Sequence, residues 1–353
     1  MADMKKFLCA ALVLGLSASL AACTSTSPDA SSGGGDVLVV AGFGAEYETL
    51  FQEHIAKPFT KKTGIQVKYR ASGSGAEMYA AIRAANGEPG FDLAVMTYLE
   101  LDQGQRDKLL APVTAKQVPN MAHVPNKLLD HTHGVGAIQD VQQVSLMYSR
   151  KAFPKPPTSW DVMWDPKYRN GTLVFNPKNI LGVYGLLNLA DMGGGGVTNM
   201  GPGFKRNEEL AKHALATPNT SAEAVPFMAK ETATAFPYFD GRAAIYAKTN
   251  NYDFTIPREG TYAHLGSLGI PVGAEHKDAA YKFIDYWLSN EVQERWARAY
   301  NVGPAVTGLT FPADFAAKHI TTPARLDEVK IADAATVNKH RTEWQQQWQE
   351  TVR

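Results

Sequence analysis

Short apolar runs alternate with helical patterns near the start of the chain, and this alternation constrains the fold more than any single motif. Asp36–Ala41 and Phe91–Met96 have the β-branched or apolar character of buried strands, and Ile65–Tyr69 predicts a strand between them. Glu46–Lys62 and Ala76–Ala85 carry apolar residues at helical spacing. Strands that alternate with helices predict an α/β fold with a mostly parallel sheet and right-handed crossovers.

The same alternation resumes in the middle of the chain, beginning at the apolar run Val144–Tyr148. We predict a short strand at Thr172–Phe175, a helix at Asn179–Leu189 and one long amphipathic helix at Lys277–Trp296. No segment recurs at the period of a solenoid repeat, so a repeat architecture is not expected.

The N-terminal segment has the pattern of an export signal. Lys5 and Lys6 precede the apolar run Phe7–Leu20, which is short for a membrane span, and residues 20–23 read Leu-Ala-Ala-Cys. This ending resembles the lipobox of bacterial lipoproteins, which implies a signal peptide at 1–22 and a lipidated Cys23. A plain secretory signal with an incidental cysteine is the alternative. Serine and glycine dominate residues 23–36, which predicts a flexible tether.

Composition excludes several classes of function. The 35 basic residues balance 35 acidic ones, whereas a nucleic-acid-binding protein normally carries a basic excess. The two cysteines are Cys9, in the signal, and Cys23, so disulfides and cysteine-based catalysis are not expected in the mature body. After the tether about 317 residues remain, more than one hydrophobic core usually serves, which predicts two domains.

Five short sequence segments, taken in chain order, extend over most of the mature chain. They are FTKKTGIQV at 59–67, TSW with WDPKY at 158–168, IPREGT at 256–261, SLGIP at 267–271 and KDAAYKFI at 277–284. Together they resemble the extracellular solute-binding proteins of ABC importers, with the type II periplasmic-binding-protein fold, and in particular the spermidine/putrescine-binding branch. The resemblance implies two α/β lobes joined by crossing strands, with the ligand held between them.

The resemblance also implies where the lobes divide. We expect lobe 1 at 37–141 plus 264–306 and lobe 2 at 142–263 plus 307–353, with the C-terminal tail packed back on lobe 2. The crossing strands are expected near Val141–Tyr148 and Phe254–Thr261.

Candidate ligand-binding residues follow from the fold and from the family. In α/β sheets ligands sit at the carboxyl ends of strands, beside helix N-termini, which points to the segments after the first three strands. The family's aromatic and polar ligand contacts match further positions. The full set is Glu46, Tyr47, Ser72, Ser74, Thr97, Tyr98, Gln142, Gln143, Asn176, Phe239, Arg242 and His264.

Several of these residues also have a purely structural interpretation. Glu46 is a residue type favoured in the first turn of a helix, and Ser72–Gly75 is compatible with a turn and a helix cap. Arg242 is equally compatible with a solvent-facing helix start. For these three sites the sequence is compatible with both a ligand-binding and a structural role.

The ligand itself is expected to differ from that of the polyamine branch. Where the family has Trp-x-Asp, this chain has His264 followed at two residues by Gly266, and the acids expected near Asn176–Ile180 are absent. A buried ammonium needs a paired carboxylate to offset its lost hydration. The sequence therefore favours a zwitterionic or anionic ligand, such as an amino acid derivative, an opine or an aminophosphonate. Polyamine binding is the alternative.

Other functional classes receive weaker support. His131 and His133 form the one close histidine pair but lack carboxylate or cysteine neighbours at ligand spacing, so no metal site is expected. Ferric iron remains an alternative, although Tyr238 and Tyr246 are not adjacent as in iron-binding relatives. A secreted α/β hydrolase is the alternative from a different class, but Gly73 stands where a nucleophile elbow needs serine.

The sequence thus predicts a lipid-anchored, periplasmic or cell-surface receptor that captures a small solute without catalysis. It is expected to be a monomer, to use no cofactor, to bind no nucleic acid and to deliver its solute to an ABC permease in the inner membrane.

Overall fold

The computed structural model describes residues 37–352. The predicted signal peptide, the tether and Cys23 lie outside the described residues. The strands within this part of the chain are β1 Val37–Phe43, β2 Gln66–Ser72, β3 Leu93–Thr97, β4 Gly136–Ser149, β5 Ala235–Phe239, β6 Tyr252–Thr255, β7 Ala263–Gly269 and β8 Gly303–Pro304. The three strands predicted first are confirmed as β1, β2 and β3, with ends shifted by one to three residues.

Helices fill the segments between the strands. The α-helices are α1 Glu46–Phe51, α2 Lys57–Thr63, α3 Gly75–Ala84, α4 Tyr98–Asp107, α5 Asn126–Leu129, α6 Ile180–Met192, α7 Gly201–Ala211, α8 Val225–Ala229, α9 Asp240–Thr249, α10 Lys277–Trp287, α11 Asn290–Tyr300, α12 Ala313–Lys318, α13 Pro323–Asp327 and α14 Ala334–Thr351. Single 3-10 turns lie at Pro119–His123, Asp130–Thr132, Trp160–Met163, Arg169–Gly171 and Ser221–Ala224. No helix among residues 37–352 has the length and apolar character needed to span a bilayer.

The strands join in the order β2-β1-β3-β7-β4-β5, with β6 and β8 also paired to β4. Strand β1 is parallel to both β2 and β3, but β7 is antiparallel to β3 and β4. All pairs made by β4 are antiparallel. The prediction of a mostly parallel sheet is therefore wrong outside β1–β3, because β7 re-enters the sheet from the far end of the molecule.

The long strand β4 passes from one sheet region to another. Its residues 136–143 pair with β7, and residues 144–149 pair with β5 and β6. We call the first region, with α1–α4, α10 and α11 against it, half I, and the second, with α6–α9, half II. All 14 residues of β4 are buried, as expected for a strand covered on both faces.

The core of half I is an aromatic stack. Phe51 lies 5.6 Å from Trp287 and 6.0 Å from Phe283, and Trp287 lies 5.5 Å from Trp296, measured between ring centroids. The Trp287–Trp296 pair is edge-to-face and the other two are tilted, and aromatic pairs at these distances add to the hydrophobic burial of each ring. The stack fixes α1, α10 and α11 relative to one another.

The helix predicted at Lys277–Trp296 is two helices. It breaks at Ser289, whose backbone is extended (φ −68°, ψ 145°) and whose hydroxyl donates to the Tyr286 carbonyl at 2.7 Å. Serine and asparagine compete for local backbone hydrogen bonds, so Ser289-Asn290 favours a new helix start over continuation. The strand predicted at Thr172–Phe175 is also wrong, since it makes a single bridge, between Leu173 and Ala216.

The first predicted helix is confirmed as one helical stretch, but its middle turn, Gln52–Ala56, is π-helical. Pro58 has no N–H to donate to the His54 carbonyl. That carbonyl instead accepts a hydrogen bond from Arg295 Nε at 2.8 Å, which ties α11 to the bulge. The irregular turn is thus compensated by a tertiary contact.

Candidate functional site

The junction between β5 and α9 brings Phe239 and Arg242 to the boundary between the halves. Phe239 ends β5, and Asp240 begins α9 one residue later. Gly241 allows this approach, because a Cβ there would lie 3.0 Å from the Tyr300 carbonyl oxygen of half I. Any larger residue at 241 would push α9 away from α11.

Arg242 is half-buried among tyrosine side chains. Burial lowers the pKa of its guanidinium, but the phenols of Tyr300 and Tyr238 outweigh this effect and raise it overall. Within residues 37–352 it forms no ion pair with a carboxylate inside 4.0 Å. A guanidinium held in this way is charged and has donors free for an acceptor from outside the protein.

Glu46 faces the same tyrosines from half I. It is exposed in the first turn of α1. Burial raises the pKa of Tyr246, and the carboxylate of Glu46 raises it further. The same carboxylate also contributes to the raised pKa values of Tyr238 and Tyr300, behind burial as the main cause. An exposed acid and a half-buried cation therefore approach one set of phenols from opposite halves.

Aromatic side chains form a second cluster beside Phe239. The Phe239 ring lies 4.9 Å from the His264 ring and 6.2 Å from that of Tyr184. Tyr184 also stacks on Tyr262 at 6.3 Å, and lies close enough to Tyr98 of half I to affect its pKa. The rings of Phe239, His264, Tyr184, Tyr262 and Tyr98 thus join the two halves beside the N-terminal end of β7.

His264 Nδ1 is a buried polar atom of this cluster without a hydrogen-bond partner among the described residues. The buried Tyr184 hydroxyl lies beside the Tyr98 hydroxyl, and each affects the pKa of the other. Burial lowers the pKa of His264 to about 4, so the imidazole is neutral at physiological pH. Buried polar atoms are normally paired, and those left unpaired in a native protein often mark a place for a ligand or water.

The serine and threonine residues at the ends of β2 and β3 are helix caps. Ser74 Oγ accepts the Glu77 N–H at 3.1 Å, and Glu77 Oε2 accepts the Gly73 N–H at 2.9 Å. At Thr97, Glu100 Oε2 accepts the Thr97 backbone N–H at 2.9 Å and the Thr97 hydroxyl at 2.6 Å, and Thr97 Oγ1 accepts the Leu99 N–H at 3.2 Å. Ser72 contacts Glu77 at 3.3 Å. The donors predicted to hold a ligand's anion thus already hold the chain's own carboxylates, and the structural interpretation is favoured.

We expect Ser74→Ala to lower the free energy of unfolding by about 1 kcal/mol, the usual loss for a helix N-cap. Solute affinity should stay unchanged, because the cap points to Glu77 and not to the two clusters. Urea unfolding and calorimetry on the same variant measure both quantities. A loss of solute affinity without a loss of stability would show that Ser74 contacts the solute and is not a stabilising helix cap.

Four further candidates also have internal partners. Tyr47 lies in the core of half I, where its hydroxyl accepts from Gln139 Nε2 at 3.1 Å. Gln143 donates from its side chain to the Lys318 carbonyl at 3.0 Å. Asn176 is a turn residue, with its oxygen on the Lys178 N–H and its nitrogen on Asn219. These three support the site's frame rather than face a ligand.

Gln142 is the exception within this group, because it is the cross-strand partner of His264. Cross-strand partners project from the same face of a sheet. Its amide nitrogen donates to Asp140 Oδ1 at 3.2 Å. Of the predicted residues, the structure places Glu46 and Arg242 around one set of tyrosines, and Tyr98, Gln142, Phe239 and His264 in or beside the second cluster.

Sequence reasoning missed Tyr184, Tyr300 and Asp140. Tyr184 stood inside a helix interpreted as apolar, and its role depends on a tertiary contact. Tyr300 follows Trp296 by four residues on α11, a helical spacing that could have placed it on the core-facing side. Asp140 is buried and accepts from Trp296 Nε1 at 3.0 Å.

A separate apolar cavity lies within half II, away from both clusters. It is lined by Trp160, Phe175 and Gly182, among others, and by the amides of Asn188 and Asn207. Neither Arg242 nor His264 reaches it. Among residues 37–352, no group of three histidine, cysteine or acidic side chains is arranged to hold a metal.

Comparisons with known proteins identify the family and the fold. A family model described as bacterial extracellular solute-binding protein matches residues 54–322. The spermidine/putrescine-binding periplasmic protein of Salmonella typhimurium is 25% identical over 300 residues, with 82% of each chain covered.

Two solved structures extend the comparison. An ABC transporter structure from Clostridium perfringens has a TM-score of 0.74 at 22% identity, covering 90% of this chain and 100% of that one. A periplasmic binding protein from A. tumefaciens R10 in complex with agropinic acid has a TM-score of 0.69 at 17% identity, covering 90% and 98%.

Proposed function

The chain belongs to the bacterial extracellular solute-binding proteins and has their two-lobed fold, and from this premise we propose that it is the receptor of an ABC importer for a small solute bearing an anionic group. The observation that carries the proposal is Arg242, a cation without a carboxylate partner in the described chain, whose tyrosine neighbours are also within the electrostatic reach of the exposed Glu46. The arrangement suits a zwitterion whose anionic end meets Arg242 and whose amine approaches Glu46.

The aromatic cluster would hold the rest of such a solute. Phe239 and Tyr184 offer apolar faces, and His264 Nδ1, which has no partner among the described residues, offers a hydrogen bond without net charge. Amino acid derivatives, opines and aminophosphonates combine these features. The structure from A. tumefaciens, with agropinic acid, is an example of an opine on this fold.

Capture would occur by closure of the two lobes. We propose lobe 1 at 37–141 plus 264–306 and lobe 2 at 142–263, with hinges at Val141–Tyr148 and Phe254–Thr261. The C-terminal tail 307–353, which was expected on lobe 2, contacts both halves, because α14 packs on α4 of half I and also touches α7 of half II. The closed face would be recognised by an inner-membrane permease, while a partner ATPase supplies the energy. No catalytic step is needed in this cycle, and one monomer suffices.

A polyamine is the second candidate, favoured by the name of the Salmonella relative and by the exposed carboxylate of Glu46. It fits less well, because a polycation would bring its ammonium groups next to Arg242. Calorimetry with spermidine, putrescine, 4-aminobutyrate and agropinic acid separates the two. We expect binding of a carboxylate-bearing solute and not of spermidine, and tight spermidine binding that survives Arg242→Ala would contradict the proposal.

Anchoring through Cys23 belongs to the same proposal and rests on the Leu-Ala-Ala-Cys ending of the signal. Replacing residues 1–23 by a cleavable signal without the Leu-Ala-Ala-Cys ending should leave the exported protein soluble with its solute affinity intact. Fractionation after a high-salt wash measures this, with the unaltered chain as control. An unaltered chain that the wash releases from the membrane would exclude the lipid anchor.

A further inference from the structure

The C-terminal segment Lys330–Thr351 contacts both halves of the molecule. The strap, as we call this segment, begins beside the crossing strands, where the Lys330 carbonyl accepts the Ala263 N–H at 2.7 Å and the Lys330 N–H donates to the Thr261 carbonyl at 3.2 Å. It ends in α14, which packs on α4 of half I and also touches α7 of half II. One element thus spans the boundary that must open for a solute to enter.

The contacts to half I are buried or close. Asn338 Nδ2 donates to both the Leu99 carbonyl and Asp102 Oδ2 at 2.8 Å. The Tyr98 hydroxyl donates to the Ala332 carbonyl at 2.9 Å, with the tyrosine fully buried. Because these bonds satisfy groups that are shielded from water, breaking them is costly. The strap is therefore a fixed part of half I.

Two polar contacts to half II are more exposed. Arg341 Nη2 donates to the Lys178 carbonyl at 3.2 Å, just before α6, and Lys330 Nζ pairs with Asp191 at 2.6 Å at the other end of α6. The Lys330 side chain is half exposed. Exposed contacts of this kind are weak and break without leaving buried charge behind. The two contacts lie at opposite ends of α6, the helix that carries Tyr184.

We propose that Arg341 and Lys330 are closure-positioning residues, which hold α6 and its Tyr184 against half I when the lobes are closed. This inference rests on the proposed function, since it assumes that the lobes open and close. On opening, the strap would stay on α4 through Asn338 and release α6. The two residues would set the closed-to-open ratio and, through it, the residence time of the solute.

The test measures the distance between the halves directly. The two cysteines of the sequence, Cys9 and Cys23, precede the described residues, so spin labels can be placed at Arg83→Cys in α3 and Lys212→Cys beyond α7 in a body that starts after Cys23. Distance distributions are recorded without solute and with agropinic acid, 4-aminobutyrate or spermidine. Arg341→Ala with Lys330→Ala should lower the closed-to-open ratio about fivefold to tenfold, as expected for two partly exposed polar contacts.

Two variants serve as controls. Arg341→Lys keeps a donor toward the Lys178 carbonyl and should retain most of the closed population, whereas Lys339→Ala, exposed on the same helix, should change nothing. Amide exchange should show α14 still protected in the double variant. An unchanged closed-to-open ratio would overturn the proposal, and so would loss of protection in α14, because Arg341 and Lys330 would then hold the helix rather than the halves.

The same data keep this inference separate from the proposed function. A wild-type protein that binds none of the three solutes contradicts the proposed function. The solute-free comparison of wild type with the double variant still decides whether the strap holds the halves together.

Discussion

Arg242→Ala is expected to lower the affinity for a carboxylate-bearing solute by about a hundredfold. A charge-assisted pair removed from one side costs about 2–5 kcal/mol in a desolvated site, and each 1.4 kcal/mol is a factor of ten. Arg242→Lys should recover only part of this loss, because an ammonium cannot reproduce the planar, two-pronged geometry of a guanidinium. Calorimetry with agropinic acid and 4-aminobutyrate measures both variants.

The control is Arg83→Ala, which removes an exposed cation of the same type from α3. It should leave the affinity unchanged, so that a general loss of positive charge is excluded as the cause. Equal affinities for wild type and Arg242→Ala would remove Arg242 from the site and with it the argument for an anionic solute.

Asp140→Asn is expected to stabilise the protein at neutral pH. Burial raises the pKa of Asp140 to about 6 from an ordinary 3.8, although hydrogen bonds from Trp296 and Gln142 partly oppose this shift. A shift of about two pH units corresponds to about 3 kcal/mol by which ionisation disfavours the folded state. Asparagine removes this cost, and Gln142 can turn its amide to pair with the new side chain.

The pH dependence gives the sign of the effect. Between pH 4 and 6 the folded state binds more protons than the unfolded state, so the stability of the wild type falls as the pH rises through this range. The advantage of Asp140→Asn should therefore be absent near pH 4 and complete above pH 6. Asp240 is also buried with a raised pKa, and its charge contributes to the raised pKa of Asp140, so the comparison measures the removal of one carboxylate from a coupled pair.

Urea unfolding at several pH values measures this difference, with the exposed Asp314→Asn as control. Asp314 lies in the first turn of α12, and its replacement should show no such rise between pH 4 and 6. An Asp140→Asn variant that is less stable than wild type at pH 7 would show that the carboxylate is needed by Trp296 and is not a net cost.

The strands of the first third were predictable because their apolar runs are local signals. β3 is buried throughout and β1 in most of its residues, whereas β2 is an edge strand with half-buried and exposed residues in alternation, and the turns between the three strands carry glycine. The break at Ser289 and the antiparallel entry of β7 were not predicted, for different reasons. Ser289 is a local competitor for backbone hydrogen bonds that was overlooked, whereas the direction of β7 depends on the path of a chain returning from half II.

The candidate site shows the same division between local and tertiary information. The capping boxes at Ser74–Glu77 and Thr97–Glu100 are written in the sequence as a hydroxyl followed three residues later by glutamate, yet the fold rule favoured a ligand role. The approach of Tyr184 to His264 is not local, because it joins residues on α6 and β7. Arg242 was found from the sequence, but its tyrosine surroundings required the fold.

Small-angle X-ray scattering, with and without the solute that binds most tightly in calorimetry, tests the central claim of lobe closure around Arg242. We predict that agropinic acid or 4-aminobutyrate lowers the radius of gyration of the wild type and leaves that of Arg242→Ala unchanged at the same concentration. Closure about hinge strands changes the shape without altering either core. The far-UV circular dichroism of the folded protein should therefore be the same with and without solute. Identical scattering curves for the wild type with and without a tightly bound solute would contradict the account.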